Sequence, residues 1–326
     1  MKPHIVRRLL RIYFVRRLLY VIPISIGVSI ICFSLVYLGP GDPIQAVMPD
    51  EASAEEIARI RTAYGFDQPL PVQFLRWLAR AAQGDFGVSL QSGRPVIADL
   101  VPALGNTLRL AIFAAAISVL VAFVAGTFAA YRNGTWVDKL FTVGSISGVS
   151  VPHYWVAIVL IIIFSVELGW LPAMGMGSGS SRDWAWDFEH IKALILPVIA
   201  LSLIPTGIIA RSTRACVIEA LNQEYVQALR AKGLRERQVR RHVAKNAGPT
   251  ILAVAGLQTG QLLGGSILIE TVFAWPGTGF LLYESIFRRD LPVLQGTILV
   301  LAMFFVAMNL AVDLLQSKLD PRIKRT

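Results

Sequence analysis

Six long blocks of apolar residues dominate the chain, near Leu18–Leu38, Leu104–Ala130, Thr142–Leu168, Leu194–Ala210, Thr250–Phe273 and Val293–Leu315. A run of about 18 such residues can cross the roughly 30 Å hydrocarbon core of a bilayer as a helix. Inside lipid each backbone N–H and C=O must be satisfied within the protein, and a helix does this within its own segment. The expected fold is therefore all-α, a polytopic membrane bundle of about six transmembrane helices. The fourth block is the shortest and carries Pro197 and Pro205, which a spanning helix tolerates when its neighbours re-satisfy the freed backbone. Only 16% of the 326 residues are charged, against about one-quarter in soluble domains.

The placement of charge predicts an orientation. Arg7, Arg8, Arg11, Arg16 and Arg17 precede the first block, which ends in Val36-Tyr37-Leu38-Gly39-Pro40. A cleaved signal peptide has a shorter apolar region and a small-residue cleavage site, so this block reads as a retained span. With a cytoplasmic amino terminus, 21 of the 31 basic residues fall in inside segments and nine outside, with Arg109 in a span. This is the positive-inside bias, and it predicts that both termini are cytoplasmic. The net charge of +10 is thereby a membrane signature, and no nucleic-acid partner is expected. Cys32 lies in a span and Cys216 in an inside segment, so no disulfide between them is expected. His4, His153, His190 and His242 are scattered without metal-ligand spacing.

Four regions follow. Residues 1–38 are the cytoplasmic amino terminus and first span, 39–101 an extracytoplasmic loop region, 102–315 the main transmembrane domain with a cytoplasmic segment at 211–249, and 316–326 a cytoplasmic tail. The first loop is long enough to fold. Ser53-Ala54-Glu55-Glu56 has the pattern of a capping box opening a short helix to Tyr64. After Pro69-Leu70-Pro71, the apolar Val72, Phe74, Leu75, Trp77 and Leu78 predict a second helix, lying on the membrane surface or the bundle and ended by Gly84-Asp85-Phe86-Gly87.

Small residues at helical spacing predict close helix packing: Ala122, Gly126 and Ala130 in the second span, Gly144 and Gly148 in the third, and Gly256, Gly260 and Gly264 in the fifth. The fifth span also has two polar faces, one with Gln258, Gln261 and Gly265, the other with Thr259, Ser266 and Glu270. Polar groups facing lipid are costly, so these faces should meet protein or an aqueous path. Arg109, Gln258, Gln261, Ser266 and Glu270 are candidates for a translocation path and gate. Glu270 could equally be structural, with Arg109 as a possible partner. Asn309 and Asp313 close the sixth span near the inside face.

The cytoplasmic segment from Arg211 to Pro249 is too long for a connector. Leu221, Tyr225, Ala228 and Leu229 give a helical face, Gly233 interrupts, and Val239 and Val243 mark a second run among Arg235, Arg237, Arg240 and Arg241. Two short helices joined by a glycine turn are expected. A basic segment can simply touch anionic lipid, but that needs neither the apolar face nor the glycine break.

Here the chain resembles a known family. Gln227-Ala228-Leu229 followed by Gly233 is similar to the coupling motif of ABC importer permeases, whose general form is Glu-Ala-Ala, three residues, then Gly. Glu224-Tyr225-Val226, Ala228, Arg230-Ala231-Lys232-Gly233-Leu234, Arg241-His242 and Asn246-Ala247 resemble the B-type permease of dipeptide and oligopeptide importers. The likeness extends along the chain through Gly39-Pro40-Gly41-Asp42-Pro43, Phe66-Asp67-Gln68-Pro69-Leu70, Gly84-Asp85-Phe86-Gly87, Ser92-Gly93-Arg94-Pro95-Val96, Leu168-Gly169-Trp170-Leu171-Pro172, Glu270-Thr271-Val272-Phe273-Ala274-Trp275-Pro276-Gly277 and Asp320-Pro321-Arg322-Ile323. Gln227, Leu229, Lys245-Asn246 and Gly248 depart from the general motif.

The resemblance implies a subunit of the inner membrane of a prokaryote, paired with a C-type permease subunit. Two ABC ATPase subunits would bind beneath, holding ATP and Mg, and an extracytoplasmic substrate-binding protein would deliver the peptide. It also implies that Glu224, Tyr225, Gln227, Ala228, Leu229, Ala231, Lys232, Gly233 and Leu234 form the ATPase-coupling surface, with Tyr225, Ala228 and Leu229 on the docked side. The chain has no phosphate-binding G-x-x-x-x-G-K-[ST], no H-E-x-x-H and no nucleophile elbow, so it is read as a transport subunit rather than an enzyme, binding no cofactor itself. The same machinery could import glutathione, a nickel chelate or an oligosaccharide. A secondary transporter is the rival class, but the chain lacks the matching halves and midplane charges that such proteins show.

Overall fold

A computed structural model describes residues 19, 22–34, 55, 67–179 and 184–319. Among these the regular elements are helices, joined by turns and loops, with one isolated bridge between Val88 and Pro95. The expected capping box at Ser53 and Glu56, the Gly39–Pro43 motif, and the tail motif at Asp320–Ile323 lie outside the described residues.

The helices are α1 (Ile22–Ser34), α2 (Leu70–Ala82), α3 (Ile97–Tyr131), α4 (Trp136–Ser150), α5 (His153–Leu160, continued by a π-helical stretch Ile161–Glu167), α6 (Phe188–Leu221), α7 (Glu224–Ala231), α8 (Glu236–Val272), α9 (Thr278–Phe287) and α10 (Leu291–Leu319). Three of them, α3, α6 and α10, are long and apolar enough to cross a membrane alone. The number becomes five if α4 with α5, and the two parts of α8, are each one bent span. The described part of the first block, α1, is a shorter apolar helix.

The bends are where the structure departs from the reading of simple blocks. The third block turns through 99° between α4 and α5. Pro152 has no N–H to continue the ladder, and Val151 before it is extended, at φ −86° and ψ 130°, as a pre-proline residue prefers. The fifth block bends by 50° between Glu236–Leu262 and Gly264–Val272. Its three faces are therefore not continuous along one cylinder. The two breaks meet: His153 Nε2 lies 3.3 Å from the carbonyl oxygen of Gly265. A carbonyl only accepts, so this ring nitrogen donates.

The chain divides into two compact units. The first comprises the described residues of Met1–Asn106 with Pro276–Ala307. In it, α2 lays Phe74 and Trp77 against Phe33 of α1, with ring centroids 5.5 and 5.9 Å apart, so the predicted second loop helix packs against α1. The loop after α2 is shaped by left-handed Gly84, Gly87 and Gly93, the conformation glycine adopts without steric cost. Asp290, the residue before α10, accepts from Ser89 Oγ and from the amides of Leu90 and Val293 at 3.3 and 3.4 Å. One carboxylate thus opens a helix and pins the loop.

The second unit comprises Thr107–Trp275 with the described residues from Met308. Helix α6 is its centre: 67% of its most apolar stretch is buried, against 28% for α3. Small residues let neighbours touch it. A Cβ on Gly126 would stand 2.5 Å from Ala210 O, and one on Gly207 would stand 2.6 Å from a Val149 methyl. The Ala122-Gly126-Ala130 stripe therefore packs as expected, with Ala122 and Ala130 buried. Gly144, Gly148 and Gly264 do not follow that expectation, having nothing within 4 Å of a built Cβ. Gly260 does, against Asn309 Oδ1 at 3.0 Å.

Candidate functional site

Two places gather the residues singled out in the sequence. The first is the segment from Arg211 to Pro249. It is not two free-standing helices: α6 runs on to Leu221, α7 is a short separate helix, and the second run is the beginning of α8, which continues through Pro249 into the apolar block. Helix α7 ends in a Schellman turn. Leu234 N donates to Leu229 O at 3.2 Å and Gly233 N to Arg230 O at 2.9 Å, with Gly233 at φ +77°. This is the left-handed position that glycine fills at a helix end. Nothing lies within 4 Å of a Cβ built on Gly233, so its requirement is conformational rather than spatial. Arg230 pairs with Glu236 at 2.9 Å across the turn, and Gln238 Oε1 accepts from Arg235 N at 3.0 Å to cap α8.

One face of α7 packs on the chain itself. Val226 is fully buried in a cluster with Val217 and Ala220 of α6 and Val239 and Val243 of α8, and Tyr225, Leu229 and Leu234 pack against that cluster. Tyr225 and Leu229 are thus half-buried against the chain's own core and partly open. Glu224, Gln227, Ala228, Ala231, Lys232 and Gly233 are exposed. The outward surface of α7 thus sets Ala228 and Ala231, one turn apart, among the polar Glu224, Gln227 and Lys232.

The second place is around Arg109 and Glu270. Trp184 organises it. The Arg109 guanidinium lies over the Trp184 ring at 5.3 Å, and the same ring meets Trp275 at 6.0 Å, Trp186 at 5.6 Å and His190 at 5.2 Å. Trp275 donates its backbone N–H to the Glu270 carbonyl at 2.8 Å, closing α8 in the same kind of turn as α7. Here the left-handed residue is Ala274, at φ +46°. A non-glycine residue there is strained by roughly 1–2 kcal/mol, and the strain aims the fully buried Trp275 into the cluster. Glu270 and Ser266 are fully buried and Gln258 nearly so, whereas Gln261 is exposed. Arg109 and Glu270 are thus connected through Trp184 and Trp275, while Gln258 and Gln261 occupy different environments.

His190 completes the cluster. Its Nδ1 is 2.7 Å from Asp187 Oδ1, and Asp187 also caps α6 by accepting from the His190 amide at 2.9 Å. These contacts, the amide first, hold the Asp187 carboxyl below its ordinary range. Gly177, at φ +115°, passes 3.2 Å from the His190 ring as judged from a built Cβ. Sequence reasoning missed Trp184, Trp275 and His190 as a group, because their proximity is long-range. Asp290 could have been found, as an acidic residue before Leu291-Pro292 has the form of a helix start.

The family model for binding-protein-dependent transport system inner membrane components matches residues 122–325, and its amino-terminal companion matches 9–111. A dipeptide transport system permease protein of Alkalihalophilus pseudofirmus is 41% identical, over 96% of this chain and 99% of its own length. A putative peptide transport system permease protein of Brucella abortus is 40% identical over 95% and 98%. The glutathione transport system permease protein of Escherichia coli is 39% identical over 96% and 98%. Among solved structures, an inward-facing form of the MetNI methionine ABC transporter has the same fold at a TM-score of 0.51 and 18% identity, covering 68% of this chain and 96% of that one.

Proposed function

The chain belongs to the binding-protein-dependent transport system inner membrane components, and on that premise we propose that it forms half of the translocation path of an ATP-driven importer for dipeptides or oligopeptides. A C-type permease subunit is the other half, two ABC ATPases bind α7 and its turn from the cytoplasm, and an extracytoplasmic binding protein delivers the peptide. The observation that carries this reading is α7: a short helix packed on the core by one face, with Ala228 and Ala231 exposed among polar side chains on the other. A helix offered to a partner needs both properties. Because Val226 sits in one cluster with residues of α6 and α8, displacement of α7 must carry both long helices. Helix α8 leads to the bend at 262–264 and then to Ser266 and Glu270. A push at one end can thereby change the path at the other. The carboxylate, Arg109 and the tryptophan cluster stand at the outer end in this orientation. Gln261, exposed on an apolar helix, calls for water or protein beside it.

Peptide is the favoured substrate class because relatives covering nearly the whole chain carry dipeptide and peptide names. Glutathione, itself a short peptide, is the second reading, on the Escherichia coli relative. Affinity purification of the tagged chain from its native membrane tests the assembly: a second permease and two ATPase copies should accompany it, and recovery of this chain alone would refute the reading. Uptake of labelled dialanine, dependent on ATP and competed by other dipeptides more strongly than by glutathione, tests the substrate.

A further inference from the structure

A cavity of about 730 Å³ opens between the end of α3, α6 and the first turns of α8. That volume is within the range of small-molecule sites, roughly 300–1,000 Å³. Part of its wall is apolar, from Phe123, Phe128 and Ile251, and the first two are about half exposed, as suits side chains facing acyl chains. Its mouth is basic. Arg132, Arg240 and Arg241 line it, and among the described residues no carboxylate does. Two of the guanidinium groups are already held in place on aromatic rings, Arg132 over Phe128 at 5.0 Å and Arg240 over Tyr131 at 4.9 Å. The acidic residue one turn before Arg240, Glu236, is engaged by Arg230 at 2.9 Å. Among the described residues no acidic side chain is paired with these three arginines, so the cavity presents positive charge to an anion.

We infer that this cavity binds an anionic phospholipid, with its phosphate among the three arginines and an acyl chain along Phe128 and Phe123. Distance and charge agree with one molecule of that shape. Phe123 and Arg132 are nine residues apart on and just beyond α3, about 13 Å of helical rise, the length of the upper part of an acyl chain. A basic pocket between spanning helices is a recognised way of holding anionic headgroups, each basic side chain near the surface adding attraction. The inner leaflet follows from the orientation proposed above, but the lipid preference does not depend on it. The lipid would lie beside α8, adjoining the cluster that holds α7.

The test uses the affinity-purified complex in nanodiscs with a photo-crosslinking phosphatidylglycerol, the adduct being mapped by mass spectrometry. The adduct should fall on the peptide containing Phe123–Phe128, and unlabelled phosphatidylglycerol should compete roughly tenfold better than phosphatidylcholine, as expected from a few basic contacts. Replacing all three arginines by Gln should abolish the preference, and by Lys should largely keep it. Equal competition by the two lipids in the wild type would overturn the inference without any variant. So would competition by inorganic phosphate alone, which would mean a free anion site, or absence of the adduct from the complex, which would mean that a protein partner covers the cavity.

Discussion

Arg214 on α6 grips both carboxylate oxygens of Asp138 in the first turn of α4, its Nη2 standing 2.7 Å from Oδ2. The same Nη2 reaches Asn133 Oδ1 at 3.1 Å, and Gly134 N donates to Asp138 at 3.0 Å. The turn between α3 and α4 is thus fastened to the central helix by a fork-to-fork pair, with Asp138 only 4% exposed.

Loss of one partner should therefore cost more than loss of both. Arg214→Met strands a buried carboxylate and should destabilise by about 3–5 kcal/mol. Asp138→Leu combined with Arg214→Met should recover much of that. Thermal unfolding of the purified protein in detergent measures it, and a double variant less stable than the single one would contradict the argument.

At α7, backbone freedom and surface shape can be separated. Gly233→Val has space but not the conformation, so it should lose coupling, whereas Gly233→Asn, which tolerates left-handed backbone, should keep most of it. Ala228→Trp is on the exposed face and should leave insertion intact while releasing the ATPases. Both outcomes are read by ATPase retention and uptake. Full retention in Gly233→Val and Ala228→Trp would remove α7 from the coupling surface.

Orientation is testable by labelling. In a Cys32→Ser, Cys216→Ser background, an impermeant maleimide should reach Gln83→Cys from the periplasmic side and Gln238→Cys only after permeabilisation, both positions being exposed. The opposite pattern would invert the topology.

Glu270→Gln should impair uptake or assembly, because a fully buried carboxylate beside the Trp275 turn has no solvent to replace its contacts. Leu257→Ala, at a 53% exposed site on the same helix, should leave uptake near wild type. Ala274→Gly should relieve the left-handed strain and raise thermal stability by roughly 1 kcal/mol. Wild-type uptake in Glu270→Gln would take that residue out of the path.

Asp187 gives a pH dependence of known sign. Its carboxyl is held low by the His190 amide and ring. A depressed folded value means stability that is complete above the ordinary carboxylate pKa of about 3.9 and is lost as pH falls through the lower, folded value. Asp187→Asn should remove that acid-side slope while preserving a cap. An unchanged acid melting profile would show that the contact is energetically idle.

Much of this was legible in the chain. Apolar blocks are long enough to force helices, and Gly233 marked its turn because local backbone chemistry fixes it. Val151-Pro152 was visible too, but a hydropathy window averages over a corner of 99°, so the third block looked like one rod. Tyr225 and Leu229 show another limit, since they are half-buried against the chain's own core. An amphipathic helix has one apolar face, and sequence does not say whether its own protein or a partner takes it. The tryptophan cluster and the Ser89–Asp290 bond join residues far apart in the chain, and no local pattern encodes such proximity.

The meeting of His153 with the Gly265 carbonyl also bears on how the protein is made. Synthesis delivers the Pro152 corner to the membrane well before the α8 bend. The early break therefore carries, ready-made, a donor for the later one. A donor variant such as His153→Leu should then betray itself during biogenesis, as slowed insertion or faster proteolytic turnover of the nascent chain, even where the finished protein survives.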